Sequence, residues 1–460
     1  MKPRLSLSAA AVMAACALAS GALLAQDKAI VTTPDREIGE TPTQGPEGLP
    51  PRPGPAPGRA VRPSDASQPS DDQRKPIQVG SFLLYPELVA NWMYDSNVFY
   101  TNRAIGDHAT LFSPAVWLQS NWSQHALNFY GSADFTNYST YTVEDTTDWR
   151  VAVEGRYDFN TDTNVYGGYR HGREHQDRES PDNRNGIKPT IYYQDRAYAG
   201  FFKQFDKISV RIGGTWQHLD YEDTPFITTT GTPRLINNDD RDRSQYTGGV
   251  RVGYEISPRI EPYVQVALDN RRYDNQPDDG GFYRNSNGGR YLAGVRWNVP
   301  KKLKLDAFAG YMDQNYDDSR LQSVSTPAFG ASLVWAALTN LTLSGYLDRT
   351  IEETTLTQTL PSGDLASASS YTNSYASIGA NYRLTGNWVL QGNVSYSEAK
   401  YNGLPRTDDY YGFGGGVIYK LSKNAYIDLS YAYRNLHSSV PTENFIKRQT
   451  FLGIAFPISN

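Results

Sequence analysis

Cysteine is nearly missing from this chain: Cys16 is the only one in 460 residues. No disulfide framework is possible, so the fold has to hold by other means. Long apolar runs are equally scarce. Past the first thirty residues no window approaches the roughly 18 apolar residues of a spanning helix. If the chain sits in a membrane, it has to cross with strands. An excess of positive charge is missing too. The net charge is −5 and the pI near 5.8, which removes the electrostatic footprint of a nucleic-acid binder. What the sequence has in abundance is tyrosine, 33 residues, within a hydrophobic fraction of only 39%.

Lys2 and Arg4 precede the small-residue apolar run "LSLSAAAVMAACALASGALLA". This order is that of an export signal, residues 1–25, with cleavage expected after Ala25. Residues 26–77 form a second segment. Eleven of the chain's 27 prolines lie between Pro34 and Pro76, with few large apolar side chains between them. Such a composition cannot bury enough surface to offset its ordering entropy, and a disordered periplasmic spacer is expected.

From residue 78 to 460 the texture is uniform. "AYIDLSYAYRN" (425–435) sets Ile427, Leu429, Tyr431 and Tyr433 against Asp428, Ser430 and Arg434. Alternate side chains of a strand face opposite ways, so this is a strand with one apolar and one polar face. About eighteen such runs recur (16–20 possible), each of 10 to 14 residues. Short turns such as Asp206-Lys207, Pro300-Lys301 and Ser422-Lys423-Asn424 alternate with long polar connections. Three turn-to-strand segments repeat at about forty residues, marked by Asn340, Asn387 and Asn424. Two long strands per period fit hairpins rather than four-stranded propeller blades.

Alternation alone does not distinguish a soluble sandwich from a barrel in lipid. Length does: soluble strands average about 5–6 residues, whereas a tilted membrane strand needs about 9–11. Charge sorting agrees. Trp149, Val151, Val153, Gly155, Tyr157 and Phe159 stand opposite Arg150, Glu154, Arg156 and Asp158. An Arg or Lys facing the bilayer centre costs roughly 2–4 kcal/mol, so lipid enforces this separation. Trp122, Phe159, Phe205, Trp297 and Trp388 fall where strands meet turns, as an interfacial girdle requires. The fold expected is all-β: a transmembrane antiparallel barrel behind a proline-rich segment.

"YPELVANWMYDSNVFYT" (85–101), "SPAVWLQSNWSQHALNF" (113–129) and "HGREHQDRESPDNRN" (171–185) resemble the "putative beta-barrel porin 2" family. Its marks here are Asp95-Ser96-Asn97, Trp122 with His125, and Ser180-Pro181-Asp182. The resemblance covers about residues 80 to 460. It implies an outer-membrane barrel, often associated with exopolysaccharide production and export, and it brings no catalytic residues.

The residues themselves offer little chemistry. His171-Gly172-Arg173-Glu174-His175 has the H-x-x-E-H spacing of a zinc peptidase, but it continues a strand. Side chains four apart on a strand lie roughly 13 Å from each other, too far to share a zinc. No Ser, His and acid constellation stands out, and neither an enzyme nor a cofactor is expected. The expected lining of the bore is Arg150, Glu154, Arg156, Asp158, Arg170, Glu174, Arg211, Arg251, Glu255, Gln265, Asp269, Arg271, Asp306, Asp348, Asp428 and Arg434. The expected work, on the resemblance, is passive export of a surface or extracellular polysaccharide; the alternative is a porin for small solutes. Expected partners are outer-membrane lipid and lipopolysaccharide, the barrel-assembly machinery, and for export a polysaccharide with periplasmic components.

Overall fold

The computed structural model describes residues 76–457 apart from 181, 183–185, 228–230, 360–362 and 364. The expected export signal and nearly all of the proline-rich segment lie outside the described residues. Eighteen long strands follow in chain order: β1 (Phe82–Asp95), β2 (Asp107–Ser120), β3 (Ala126–Tyr138), β4 (Thr146–Asn160), β5 (Thr163–His175) and β6 (Ile191–Phe205). Next come β7 (Ile208–Tyr221), β8 (Arg243–Tyr254), β9 (Ile260–Tyr273), β10 (Ser286–Val299), β11 (Leu303–Tyr316) and β12 (Val324–Leu338). The last six are β13 (Leu341–Glu353), β14 (Ser370–Arg383), β15 (Trp388–Asn402), β16 (Thr407–Ser422), β17 (Ala425–Ser438) and β18 (Phe445–Pro457). Every expected run lies within one of them.

Each strand pairs antiparallel with its chain neighbours, and β18 pairs with both β17 and β1. The sheet is therefore closed, and every strand has a partner on both sides. Closure removes the sheet edge that hydrocarbon would leave unsatisfied. The seam between β1 and β18 is short: Glu87↔Pro457 to Asp95↔Gln449, whereas β1 and β2 pair from Phe82 to Asp95. The part of β1 that β18 does not reach is met by a three-residue strand, Ile77–Val79, folded back on Phe82–Leu84 through Gly80 at φ +59°. That turn needs the left-handed conformation glycine supplies. Between the two partners sits Pro86, which has no N–H to leave unbonded.

Short turns close one rim, and both ends of the described chain lie there. Asp206 and Lys301 take φ of 49° and 60° in two of these turns. Long connections crown the other rim. In an outer-membrane barrel the short turns face the periplasm and the long loops the exterior. The expected girdle stands at the turn rim, with Trp122, Phe159, Phe205, Trp297 and Trp388 exposed.

The strands run 12 to 16 residues, longer than the sequence pattern delimits. The extra length lies on the loop side, where the outward face turns polar. There Asp195 on β6 faces outward and accepts from Tyr169 and His171 of β5, so its charge is bonded rather than bare. Outward faces free of charge hold for 149–159 and 208–216 but not for every strand.

Inside, glycines stand directly across from aromatic rings: Tyr166↔Gly200, Tyr263↔Gly294 and Phe308↔Gly330. The far end of each ring reaches over the neighbouring glycine, into space a Cβ would occupy.

Candidate functional site

The inner wall follows from strand parity. On β4, Arg150, Glu154, Arg156 and Asp158 share the inward face, and on β5 Arg170 and Glu174 do. Arg211 on β7 and Arg251 on β8 stand opposite each other. Gln265, Asp269 and Arg271 lie inward on β9, Asp306 on β11, Asp348 on β13, and Asp428 and Arg434 on β17. Glu255 lies one residue past β8, in the turn 255–259.

These side chains form three groups. Near the turn rim, Arg251 donates to Gln265 Oε1 at 2.7 Å and lies 3.7 Å from Asp306, while Arg296 lies 3.1 Å from Asp306 and 3.8 Å from Glu261. Higher up, Arg150 and Arg170 both reach Glu174, at 3.6 and 2.7 Å. The third group fills a corner of the bore. Arg271 contacts Glu353, and Tyr273 and Tyr316 donate to the same carboxylate at 2.7 and 2.9 Å. β9 and β13 are four strands apart, about 19 Å along a flat sheet. Direct contact means the wall curls sharply there, and Tyr263, Leu292, Phe308, Met312 and Ile351 pack inside the bend.

Described residues of the connection 176–190, among them Arg178, Glu179 and Asp182, stand at the loop mouth. At its root Arg178 pairs with Glu144 and donates to Gly186 O at 2.7 Å. Thr354 Oγ1 and Thr355 N donate to Asp182 Oδ1 at 2.6 and 2.9 Å, and Arg434 on β17 pairs with Glu179. Glu179 and Asp182, which follow β5, are thus held at β17 and beside β13, over the bore rather than along the wall of β5.

The family-like residues have local structural work. Asn97 N donates to Asp95 Oδ1 at 2.9 Å, and Lys447 Nζ contacts the same carboxylate at 2.6 Å. Trp122 donates to Ser81 Oγ at 3.2 Å, and His125 stacks on Tyr157. His171 and His175 bond different carboxylates, Asp195 and Asp148. In the outer loops, burial pushes the Asp242 carboxyl up to about 7, with Asp220, Asp239 and Asp274 adding to it against a hydrogen bond from Tyr221 N. The Arg320 guanidinium holds Asp318 below the usual carboxylate range.

Sequence reasoning missed Arg196, Arg243, Arg290 and Arg296 on the inner wall, and Glu179 and Asp182 at the mouth. Arg196 follows Asp195, so β6 carries charge on both faces there and its parity is hidden. Arg290 sits in "GGRYL", where two glycines blank the alternation. Parity counted outward from "AYAGFF" would have placed Arg196.

A closed barrel of eighteen long strands, apolar outside and polar inside, is an outer-membrane β-barrel, and the protein resides in the outer membrane. The family model described as "Putative beta-barrel porin 2" matches residues 73–457, and the chain belongs to that family. No curated protein matches it. Similar solved structures include the siderophore receptor PiuA from Acinetobacter baumannii, at TM-score 0.44 and 11% identity over 84% of this chain and 82% of that one. OpdL from Pseudomonas aeruginosa gives 0.41 and 10% over 83% and 99%. OccAB4 from Acinetobacter baumannii gives 0.42 and 9% over 84% and 100%.

Proposed function

We propose that the protein is a passive, solute-selective pore for hydrophilic molecules. The supporting observation is that Glu179 and Asp182, which follow β5, are held over the mouth at β17 and beside β13, above an inner wall of charged, amide and hydroxyl side chains. Barrels of 16–18 strands leave an aqueous channel. Here the filled corner at β9–β13 and the residues held over the mouth narrow it, which favours selection by size and charge over open flow. The test is single-channel recording of the purified barrel in a planar bilayer together with swelling of liposomes in sugars of increasing size. Discrete conductance steps and a sharp size limit are expected; an electrically silent, impermeable barrel would refute the reading.

Export of a surface polysaccharide, which the family resemblance implies, is the second reading. The observation in its favour is the inner face of β14 and β15, where Ser377, Asn381, Gln391, Asn393 and Ser395 offer hydrogen bonds without a charge to hold a sliding sugar chain. Secreted and cell-associated polysaccharide in a deletion strain, with a complemented control, tests it. Unchanged polymer removes export.

A further inference from the structure

Two pairs of arginines face each other directly across strand boundaries on the inner wall: Arg170↔Arg196 between β5 and β6, and Arg211↔Arg251 between β7 and β8. Side chains directly opposite stand about 4.5–5.5 Å apart at Cβ, and like charges there are destabilising. A sequence free to choose would not place two such pairs on one wall unless something offsets them, and rules of this kind are broken mainly at functional sites.

Carboxylates gather beside both pairs. Around the lower pair, Arg211, Arg251 and Arg296 gather over Glu261 and Asp306. Around the upper pair, Arg150 and Arg170 converge on Glu174, with Arg196 beside them and Glu154 diagonal to Arg170 on the same face. In each place guanidiniums outnumber the carboxylates they gather on. Acidic cross-strand pairs also exist inside, Asp95↔Asp107 and Asp134↔Asp148, but they stand at the loop rim, with Lys447 on Asp95 and His175 on Asp148. The arginine pairs stand lower in the wall. They are separated by the six residues from Arg196 to Phe202, the partner of Arg211, or about 20 Å along β6.

Nine strands on, a ring of eighteen reaches its opposite side. β5 and β6 therefore face β14 and β15, whose inward positions hold one charged residue, Arg383 at the turn rim, and otherwise hydroxyl, amide, tyrosine, glycine and aliphatic side chains. Across from the lower pair, β16 and β17 present Gly412, Gly414, Gly416 and Ser430, with Lys420 and Asp428 near the turn rim and, higher up, Arg434 opposite Gly412 and beside Lys447. A solute crossing the bore meets paired guanidiniums on one side; on the other, hydroxyl, amide and glycine positions predominate, and Arg434 and Lys447 are each held by a carboxylate, Glu179 and Asp95.

We infer that the two arginine pairs are successive binding steps for an acidic, hydroxyl-rich solute: a sugar acid, or a glycan built of sugar acids. The inference rests on the pore reading above and names what that pore prefers. Guanidiniums clamp carboxylates through charge-assisted, often bidentate bonds, and two clamps in line hand an anion along the wall.

The test uses the full chain, folded in detergent, with galacturonate, an oligogalacturonate of about eight units, and galactose as the neutral control. Binding is measured by calorimetry, separately from conductance, so a silent channel that still binds acids refutes the pore and leaves the site standing. Tight binding of the acids over galactose is expected, weakening about tenfold in Arg196→Gln or Arg251→Gln, with Arg448→Gln on the outward face unchanged. Arg→Lys at the same two positions keeps the charge and serves where a Gln variant fails to assemble; it should bind better than Gln and worse than wild type. Preference for the oligomer by much more than its number of units points to a polymeric acid spanning both steps, and equal binding per unit points to a small sugar acid. Equal affinity for galactose and galacturonate, or binding indifferent to both arginines, overturns the inference.

Discussion

Thr354 donates its hydroxyl hydrogen to Asp182 at 2.6 Å, joining the connection after β13 to the segment that leaves β5, 172 residues earlier in the chain. The backbone N–H of Thr355 bonds the same oxygen. One carboxylate thus ties the connection after β5 to the far side of the same loop rim. Asp182→Ala removes both bonds, and single-channel conductance should rise or flicker between levels, while Asp279→Ala on the outer rim leaves the trace unchanged. Combining Asp182→Ala with Glu179→Gln should widen the change further.

Lys447 and Asp95 are a buried pair, both almost fully covered, with the ammonium lying over the Tyr100 ring. Removing one partner of a buried pair costs about 3–5 kcal/mol because the other charge is stranded. Lys447→Met should lower the urea midpoint of the refolded barrel markedly. Lys447→Met with Asp95→Asn should recover part of that loss.

Asp242 carries a carboxyl raised to about 7 by burial and by its acidic neighbours, in the loop between β7 and β8. The folded loop therefore binds a proton that the opened loop, with an ordinary carboxyl, releases near pH 4. Local stability should be greatest below about pH 4, fall as the pH rises towards 7, and level off above it. Hydrogen exchange at Tyr221 N, whose bond to Asp242 Oδ1 is 2.7 Å, reads this directly. Asp242→Asn should flatten the profile; a slope that survives the substitution would assign it to another group.

Gly330 sits beneath the Phe308 ring on the inner wall. A branched side chain there has to push the ring aside, and overpacking of this kind costs roughly 1–3 kcal/mol. Gly330→Val should lower the thermal midpoint of the barrel, and Gly330→Val with Phe308→Ala should restore much of it.

The strands were legible because lipid and water sort side chains at a period of two, and that signal is local. β17 shows it openly in "AYIDLSYAYRN". β6 shows it poorly, because Asp195 and Arg196 put charge on both faces, and the outward one is tolerated only through Tyr169 and His171 on the neighbouring strand. The mouth was illegible for a different reason. Glu179 meets Arg434, and Asp182 meets Thr354, across more than 170 residues, and no spacing in the sequence encodes those encounters. The arginine pairs lie between these cases. Arg211 and Arg251 were both assigned to the inner wall, but that they stand directly opposite depends on the register across the long connection 222–242.

The seam has a consequence for how the molecule comes into being. β1 has to wait for residues 449–457, the last described stretch of the chain, before its second edge is occupied. Until then it is the strand most able to recruit a foreign one. The fold-back of Ile77–Val79 and the missing N–H of Pro86 blunt the stretch of that edge that β18 never covers. A chain waiting to be inserted thus carries its own guard against templating a neighbour, at the one place where the finished cylinder leaves its seam incomplete.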